Sequence, residues 1–196
     1  MDLITRLQEA VAESVRLKSR FVEEAGPKVV DAARMLAETL RDGGKILIFG
    51  NGGSAADSQH LAAEFVNRFQ IERKPLSALA LTTNTSILTA IGNDYDFREV
   101  FAKQVTALGH PGDVAWGLST SGNSPNVVKG LKAARELGLK TLALSGRDGG
   151  PVAAQGDIAL VAPSGNTPRI QELHITIGHA LCDLVDYLLF PEKFGK

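Results

Sequence analysis

Two pairs of polar side chains in this sequence have types and spacings that could do chemistry. His60 and Glu64 are four residues apart in a segment with helical periodicity, so both lie on one helix face. Gln171 and His179 are eight residues apart in the last long segment, where they share a broad side of a helix. An imidazole and a carboxylate that converge on one point could transfer protons or bind a divalent metal.

Each pair also has an ordinary structural explanation. A His and a Glu at this spacing usually form a solvated ion pair that stabilises a helix by ~0.2–0.5 kcal/mol. His179 lies in the apolar stretch 177–181, where a hydrogen-bonded core histidine is the common outcome. Spacing alone therefore leaves both interpretations open.

The sequence has 20 glycines among 196 residues, and three of them fall in one turn, residues 49–57, which we call the glycine loop. These glycines let the backbone approach a ligand closely, and Ser54 is predicted to cap the helix that follows. The loop has neither the dinucleotide-binding glycine spacing nor the Gly-Lys-Ser/Thr of a P-loop. A nucleotide cofactor is therefore not expected.

A second turn, residues 119–125, is rich in hydroxyl groups, and we call it the serine loop. Ser119, Thr120, Ser121 and Ser124 surround Gly122 at the predicted start of a helix. Hydroxyl and backbone N–H groups there could hold a phosphate without a positive charge. The alternative is a polar turn with a helix cap.

The elements around these turns alternate between strands and helices. Short apolar runs bounded by glycine or polar residues predict five buried strands, at 45–49, 77–81, 113–118, 140–144 and 157–161. Helical periodicity predicts two N-terminal amphipathic helices, 1–25 and 28–41, divided at Pro27, and a final helix over 168–189. This alternation indicates an α/β fold with a parallel sheet that is covered on both faces.

Composition narrows the class of partner. The chain is long enough for one domain, and 21 Lys and Arg against 22 Asp and Glu give no broad positive surface for nucleic acid or an anionic membrane. No apolar run reaches the ~20 residues of a membrane span, and the N-terminus lacks a secretory signal. With a single cysteine, Cys182, the sequence predicts a cytoplasmic protein without an internal disulfide. Cys182 and Trp116 are expected to pack in the core.

Three separated motifs carry a resemblance to a known family. FGNGGSAADSQH at 49–60, LSTSGNS at 118–124, and RIQELH at 169–174 followed by His179 resemble the sugar isomerase (SIS) fold family, and within it the phosphoheptose isomerases. The resemblance implies a three-layer αβα sandwich with a five-stranded parallel, flavodoxin-like sheet. It also implies a single SIS domain over 1–196, with the helical segment 1–41 used in oligomer packing.

The resemblance further implies an activity, a cofactor and an assembly. These enzymes convert sedoheptulose 7-phosphate to D-glycero-D-manno-heptose 7-phosphate through an enediol, the first step of ADP-heptose biosynthesis. The corresponding residues would bind one Zn²⁺ per subunit, with Glu64 as base and His179 as acid; the ligands would be His60, Glu64, Gln171 and His179. Family members are homotetramers whose active sites draw residues from neighbouring subunits.

The family also implies a set of substrate contacts. The sugar would be contacted by Asn51, Gly52, Gly53, Glu64, Asn93, Asp94 and Gln171. The 7-phosphate would be held by Ser119, Thr120, Ser121 and Ser124. Without the resemblance, Asn93 and Asp94 look like turn residues in a loop over 91–96. His110 and His174 match no such role and are expected to be structural or surface residues.

One alternative lies in the same fold family. Residues 182–186 and the RIQE segment also resemble a non-enzymatic relative that binds the bacterial replication initiator protein. Those relatives lack the acid at the position of Glu64 and the histidine at that of His179. Both residues are present here, which favours the isomerase.

Overall fold

A computed structural model describes residues 2–195, and its elements alternate as the sequence predicts. The helices are α1 Leu3–Arg41, α2 Gly53–Val66, α3 Thr85–Asp94, α4 Val100–Leu108, α5 Pro125–Glu136, α6 Gly150–Ala153 and α7 Thr167–Leu189. The strands are β1 Ile46–Gly50, β2 Ala78–Ala80, β3 Val114–Ser119, β4 Lys140–Gly146 and β5 Ile158–Ala162. All five predicted strands are present, each within two residues of its predicted bounds.

The strands form one parallel sheet in the order β2-β1-β3-β4-β5. This is the flavodoxin-like order, so the predicted fold class is confirmed. Strands β1 and β3 are buried at every position, as expected for strands covered on both faces. Chain order reverses between β1 and β3, and ligands in such sheets bind outside the carboxyl ends of the strands at this point.

Helices cover both faces of the sheet and form two separate apolar cores. One core joins α1, α2 and α7 to the sheet and includes Leu36, Leu61 and Leu181. The other joins α4 and α5 to the opposite face and includes Phe101 and Leu131. Leu61 and Phe65 of α2 are fully buried, so this face of the helix packs on the sheet. The result is a three-layer αβα sandwich.

The N-terminal segment is one helix, so the prediction of two helices divided at Pro27 was wrong. Pro27 lies inside α1, which runs for 39 residues. A proline inside a helix costs ~3 kcal/mol because a backbone hydrogen bond is lost. Phe21 and Val29, on either side of Pro27, are both buried in the same core, and this packing outweighs the local cost.

The predicted cap of α2 was also wrong. The N-cap residue is Gly52, with φ of 55°, and Ser54 lies inside the helix, where its carbonyl accepts a bond from the Ser58 hydroxyl. Gly52 takes a left-handed conformation that most residues avoid, and the helix begins two residues earlier than a cap at Ser54 would place it. Between residues 2 and 195, no helix has the length and apolar content needed to cross a bilayer.

Candidate active site

The glycine loop and the serine loop lie side by side at the carboxyl ends of β1 and β3. Gly50 pairs with Leu118 in the sheet, so the two loops leave adjacent strands. The side-chain amides of Asn51 and Asn126 form two reciprocal hydrogen bonds of 2.8 Å, which connect the glycine loop to the first turn of α5. The two motifs that sequence analysis singled out therefore form one surface at the reversal of strand order.

His60, Glu64 and His179 form a compact cluster between α2 and α7. The Nε2 atoms of His60 and His179 are 2.8 Å apart, and His60 Nε2 is 3.4 Å from a carboxylate oxygen of Glu64. One ligand atom from each residue lies within 4.8 Å of the other two. A solvated ion pair of His60 and Glu64 on one helix would not include a histidine from a second helix. The cluster therefore differs from that ordinary structural explanation.

The environment of His179 favours its neutral form. Burial lowers the pKa of His179, the neighbouring His60 lowers it further, and the Glu64 carboxylate acts in the opposite direction. The ring also stacks on Phe69, with centroids 5.4 Å apart and planes inclined by 27°. His179 is therefore held in a fixed plane, with a neutral imidazole turned toward His60 and Glu64.

Gln171 lies against the start of α2. A Cβ atom on Gly53 would stand 2.6 Å from the Cδ atom of Gln171, so a larger residue there would displace this amide. The Gln171 side chain also lies near Asp57, one turn before His60 on α2, where it lowers the pKa of that carboxyl. The amide thus lies beside the glycine loop, at the end of α2 that precedes His60.

The hydroxyls of the serine loop face one another. Ser119 Oγ is 2.8 Å from Ser124 Oγ and 3.4 Å from Ser121 Oγ. Ser124 is the N-cap residue of α5, and the following turn begins at Pro125. Converging hydroxyls at a helix N-terminus provide neutral donors for an anion.

Asn93 and Asp94 lie elsewhere. The prediction of a loop over 91–96 was wrong in part, because both residues form the end of α3. They are exposed, and Asn93 Nδ2 bonds an oxygen of Asp94. Throughout residues 2–195, no side-chain hydrogen bond or ion pair connects them to the His60 cluster.

Three further residues shape the site and were missed from sequence: Asp57, Phe69 and Asn126. Burial raises the pKa of Asp57, while the nearby Gln171 amide and His60 lower it. Asp57 sits three residues before His60, a helical spacing that could have identified it. Asn126 lies in the first turn of α5, where asparagine is a poor helix former. Phe69 gave no signal, because it follows the end of α2.

The remaining sequence predictions concern packing. Trp116 and Cys182 are both buried, as expected. His174 is buried as well, and its Nε2–H group donates a hydrogen bond of 3.0 Å to the Ser145 carbonyl. His110 is exposed. None of these four residues belongs to the His60 cluster.

The donor set suits a divalent metal. Two imidazoles and a carboxylate, without a thiolate, are ligands that Zn²⁺ accepts in catalytic sites, where a further position stays open to substrate. The three donors approach from two helices that the sheet holds rigidly. The chemistry of these residues therefore fits a metal ion. A histidine binds a metal in its neutral form, which is the form that the surroundings of His179 favour.

Comparisons with known proteins agree with this geometry. The SIS domain family matches residues 11–146. A phosphoheptose isomerase of Nitratidesulfovibrio vulgaris is 58% identical over 93% of this chain and 88% of its own length. That of Aquifex aeolicus is 54% identical over 95% of this chain and 98% of its own.

A solved structure shows the same likeness in three dimensions. The phosphoheptose isomerase GmhA from Neisseria gonorrhoeae superposes with a TM-score of 0.89 at 49% identity, covering 94% of this chain and 99% of that one. The likeness covers nearly the full length of both chains. The chain therefore belongs to the phosphoheptose isomerase family of SIS-domain proteins.

Proposed function

We propose that this chain interconverts sedoheptulose 7-phosphate and D-glycero-D-manno-heptose 7-phosphate, the first step of ADP-heptose biosynthesis. The observation that carries this function is the meeting of His60, Glu64 and His179 in one cluster. The names of the relatives give the substrate class. Glu64 and His179 are also the two residues that separate the isomerases from the initiator-binding alternative.

The reaction moves two protons. Conversion of the ketose removes a proton from C1 and returns one to C2, through an enediol, while an O–H proton passes from O1 to O2. Glu64 is the base that takes the C1 proton and delivers it to C2. His179 donates a proton to O2 and receives the one from O1. A neutral imidazole has one N–H donor and one acceptor nitrogen, so the ring of His179, whose pKa burial lowers, can relay the O1 proton to O2.

We assign the metal to His60, Glu64 and His179, with Gln171 as the fourth ligand, and we propose Zn²⁺, one per subunit. When bound, the ion would stabilise negative charge on the two substrate oxygens. Gln171 enters this assignment through the family resemblance, and its amide lies against Gly53 and Asp57. Phe69 and Asp57 would orient the ligands that they contact.

The glycine and serine loops would bind the rest of the substrate. Ser119, Thr120, Ser121 and Ser124 hold the phosphate, and Asn51, Gly52 and Gly53 contact the sugar. Gly53 and His60 are seven residues apart along α2, about 10 Å, so an extended seven-carbon sugar can reach from one loop to the cluster. Asn93 and Asp94 would act at the site of a neighbouring subunit, because in this chain they are not connected to the cluster.

We further propose a homotetramer in the cytoplasm. The first half of α1 exposes an apolar stripe, with Leu7 60% accessible and Val11 and Val15 similar, that suits a second copy of this chain. Cys182 is buried and unpaired, which fits a reducing compartment.

The test is turnover with and without chelator. Purified protein, loaded with Zn²⁺, should convert sedoheptulose 7-phosphate to the aldose, lose that activity after removal of metal, and regain it on readdition. In D₂O, the aldose should carry deuterium at C2, because a base exchanges its proton with solvent. Failure of the folded, zinc-loaded protein to turn over would exclude the function. A product without deuterium would show that the C1 hydrogen reaches C2 without exchange with solvent, and the turnover of Glu64→Gln would then distinguish a shielded base from hydride transfer.

A further inference from the structure

Arg73 and Asp186 form a buried ion pair outside the site described above. Arg73 lies in the segment that follows α2, and Asp186 lies near the end of α7. Arg73 Nε donates to Asp186 Oδ1 over 2.7 Å, and both side chains are almost completely inaccessible. Removing both charges from water costs free energy. The presence of this pair between the segment after α2 and helix α7 therefore requires an explanation.

The same guanidinium closes the end of α2. It donates to the carbonyl oxygens of Glu64 and Phe65, each over 2.8 Å, and more weakly to Asn67 and Lys74. The last carbonyls of a helix have no partner within the helix, and a cation there also interacts favourably with the helix dipole. Arg73 therefore fixes the backbone of Glu64 itself.

The carboxylate lies on the helix face that carries His179. Asp186 is seven residues after His179, two turns along α7, which returns it to nearly the same side of the helix. The two helices are also in close contact at Gly178, where a Cβ atom would stand 2.6 Å from Leu61. The guanidinium thus connects the backbone of Glu64 to the helix face of His179.

Stability alone does not explain this pair. Oδ2 of Asp186 is buried and has no hydrogen-bond partner within residues 2–195. A buried ion pair with an unsatisfied oxygen is often no more stable than an apolar pair of similar volume. The pair does, however, define one position of α2 relative to α7, which an apolar contact would leave free to slide.

We propose that Arg73 and Asp186 are positioning residues that set the distance between Glu64 and His179. The proposal rests on the proposed function, because that distance matters for proton transfer and metal binding. A small displacement of either helix would separate the base from the acid and spread the ligands. The serine loop, at the far end of α2, would not move.

The test replaces the pair by apolar residues of similar size. Arg73→Met/Asp186→Leu removes both charges together, and it should lower kcat for sedoheptulose 7-phosphate about 10- to 100-fold. The KM should change little, because phosphate contacts are intact. Zn²⁺ affinity, measured by competition with a chromophoric chelator, should fall by a similar factor. Asp186→Asn keeps an acceptor for Nε–H and should retain most of the kcat and of the metal affinity.

A matched control lies at the opposite end of the sheet. Lys45 and Asp113 form a second ion pair, 2.5 Å long, whose carboxylate is also buried. Lys45→Met/Asp113→Leu makes the same chemical change and should leave kcat and Zn²⁺ affinity near wild type. An equal loss in this control would show that the effect is general destabilisation and would overturn the proposal.

Two other results would also decide the question. A folded Arg73→Met/Asp186→Leu protein with wild-type kcat and Zn²⁺ affinity would overturn the proposal. Should that protein not fold, Arg73→Lys, which cannot reach the same set of acceptors, is compared with Asp186→Asn, and equal Zn²⁺ affinity in the two would overturn it. If the wild type turns over no heptose phosphate, the proposed function fails, while the Zn²⁺ measurements still test the pair.

Discussion

The chemistry of the proposed reaction depends on how single residues are held. Glu64 belongs to α2, whose apolar residues Leu61 and Phe65 are fully buried, so its backbone is fixed to the sheet. His179 belongs to α7 and is oriented by Phe69 and His60. The remaining freedom of Glu64 is rotation about its side-chain bonds. The 3.4 Å contact between its carboxylate and His60 Nε2 limits that rotation. Such fixed geometry is what proton transfer requires.

Removing the carboxylate while keeping its shape tests the role of base. Glu64→Gln should lower turnover about 10²- to 10⁴-fold, because an amide cannot accept the C1 proton. Sugar phosphate should still bind, since the serine loop is unchanged, and calorimetry would measure this. Glu72→Gln, at an exposed carboxylate beyond α2, serves as control and should keep full activity. Retained turnover in Glu64→Gln would assign the base to another group.

A second residue-scale prediction concerns His174, which lies one turn after Gln171 but in the core. Burial lowers the pKa of His174 to about 4, against an ordinary value of 6.5. Below pH 6.5 the unfolded chain binds a proton at this residue, and the folded chain does not until pH 4. The stability that neutral His174 contributes is therefore lost as pH falls from 6.5 to 4, by on the order of 3 kcal/mol.

Denaturant unfolding at fixed protein concentration, at several pH values between 7 and 4, measures this loss. In His174→Gln, which does not titrate, the free energy of unfolding should fall less steeply over the same range. Other histidines and carboxylates titrate in both proteins, so the difference isolates His174. Parallel pH profiles for the two proteins would show that His174 titrates equally in the folded and unfolded states.

At the scale of elements, the proposed function divides substrate binding between the two loops at the carboxyl edge of the sheet. The glycine loop lets Gln171 approach the start of α2, and the serine loop collects hydroxyls at the start of α5. The Asn51–Asn126 amide pair holds these turns together. Because these donors are neutral, the proposed phosphate site needs no positively charged side chain and is compatible with a net charge of −1.

Removing hydroxyls from the serine loop tests the phosphate site. Ser119→Ala/Ser121→Ala removes two donors, each contributing about 0.5–1.5 kcal/mol, so the KM for sugar phosphate should rise about 10-fold or more. The kcat at saturation should change less, because the His60 cluster is untouched. Ser77→Ala, at the opposite end of β2, should leave KM unchanged. Wild-type KM in the double variant would move the phosphate to another part of the surface.

How much of this could be predicted differs by element. The strands were predictable because buried parallel strands are short apolar runs with polar or glycine ends, and this pattern needs no knowledge of tertiary contacts. The predictions at Pro27 and Ser54 were wrong because each followed a local rule. Packing of α1 on the core overrides the helix break at Pro27, and the left-handed Gly52 takes the cap position expected for Ser54. Asp57 and Phe69 were missed because their roles depend on α2 and α7 coming together, which spacing along one helix cannot show.

At the scale of the whole molecule, one face of the first half of α1 is exposed to solvent in the part of the chain that the structure describes. Arg169 of α7 anchors it by donating to the Ala10 carbonyl and approaching Glu13. Beside that anchor, the stripe of apolar side chains is exposed to solvent; it comprises Leu3, Ile4, Leu7, Val11, Val15 and Val22. A helix that is held rigidly and yet exposes such a stripe is suited to pack against other copies of itself.

We therefore expect wild-type protein to sediment as a tetramer and Leu7→Glu/Val11→Glu to sediment as smaller species. Two carboxylates on the stripe would be buried without partners in the assembly, a cost that the separated chains avoid. Arg6→Gln/Arg16→Gln, which changes net charge equally on the polar side of α1, should remain tetrameric.

The same variant tests whether the active site is shared between chains. If Asn93 and Asp94 act at a neighbouring site, the dissociated variant should also lose turnover while its circular dichroism stays unchanged. A variant that dissociates and keeps full turnover would show that each chain completes its own site, and an unaltered tetramer would place the interface on another surface.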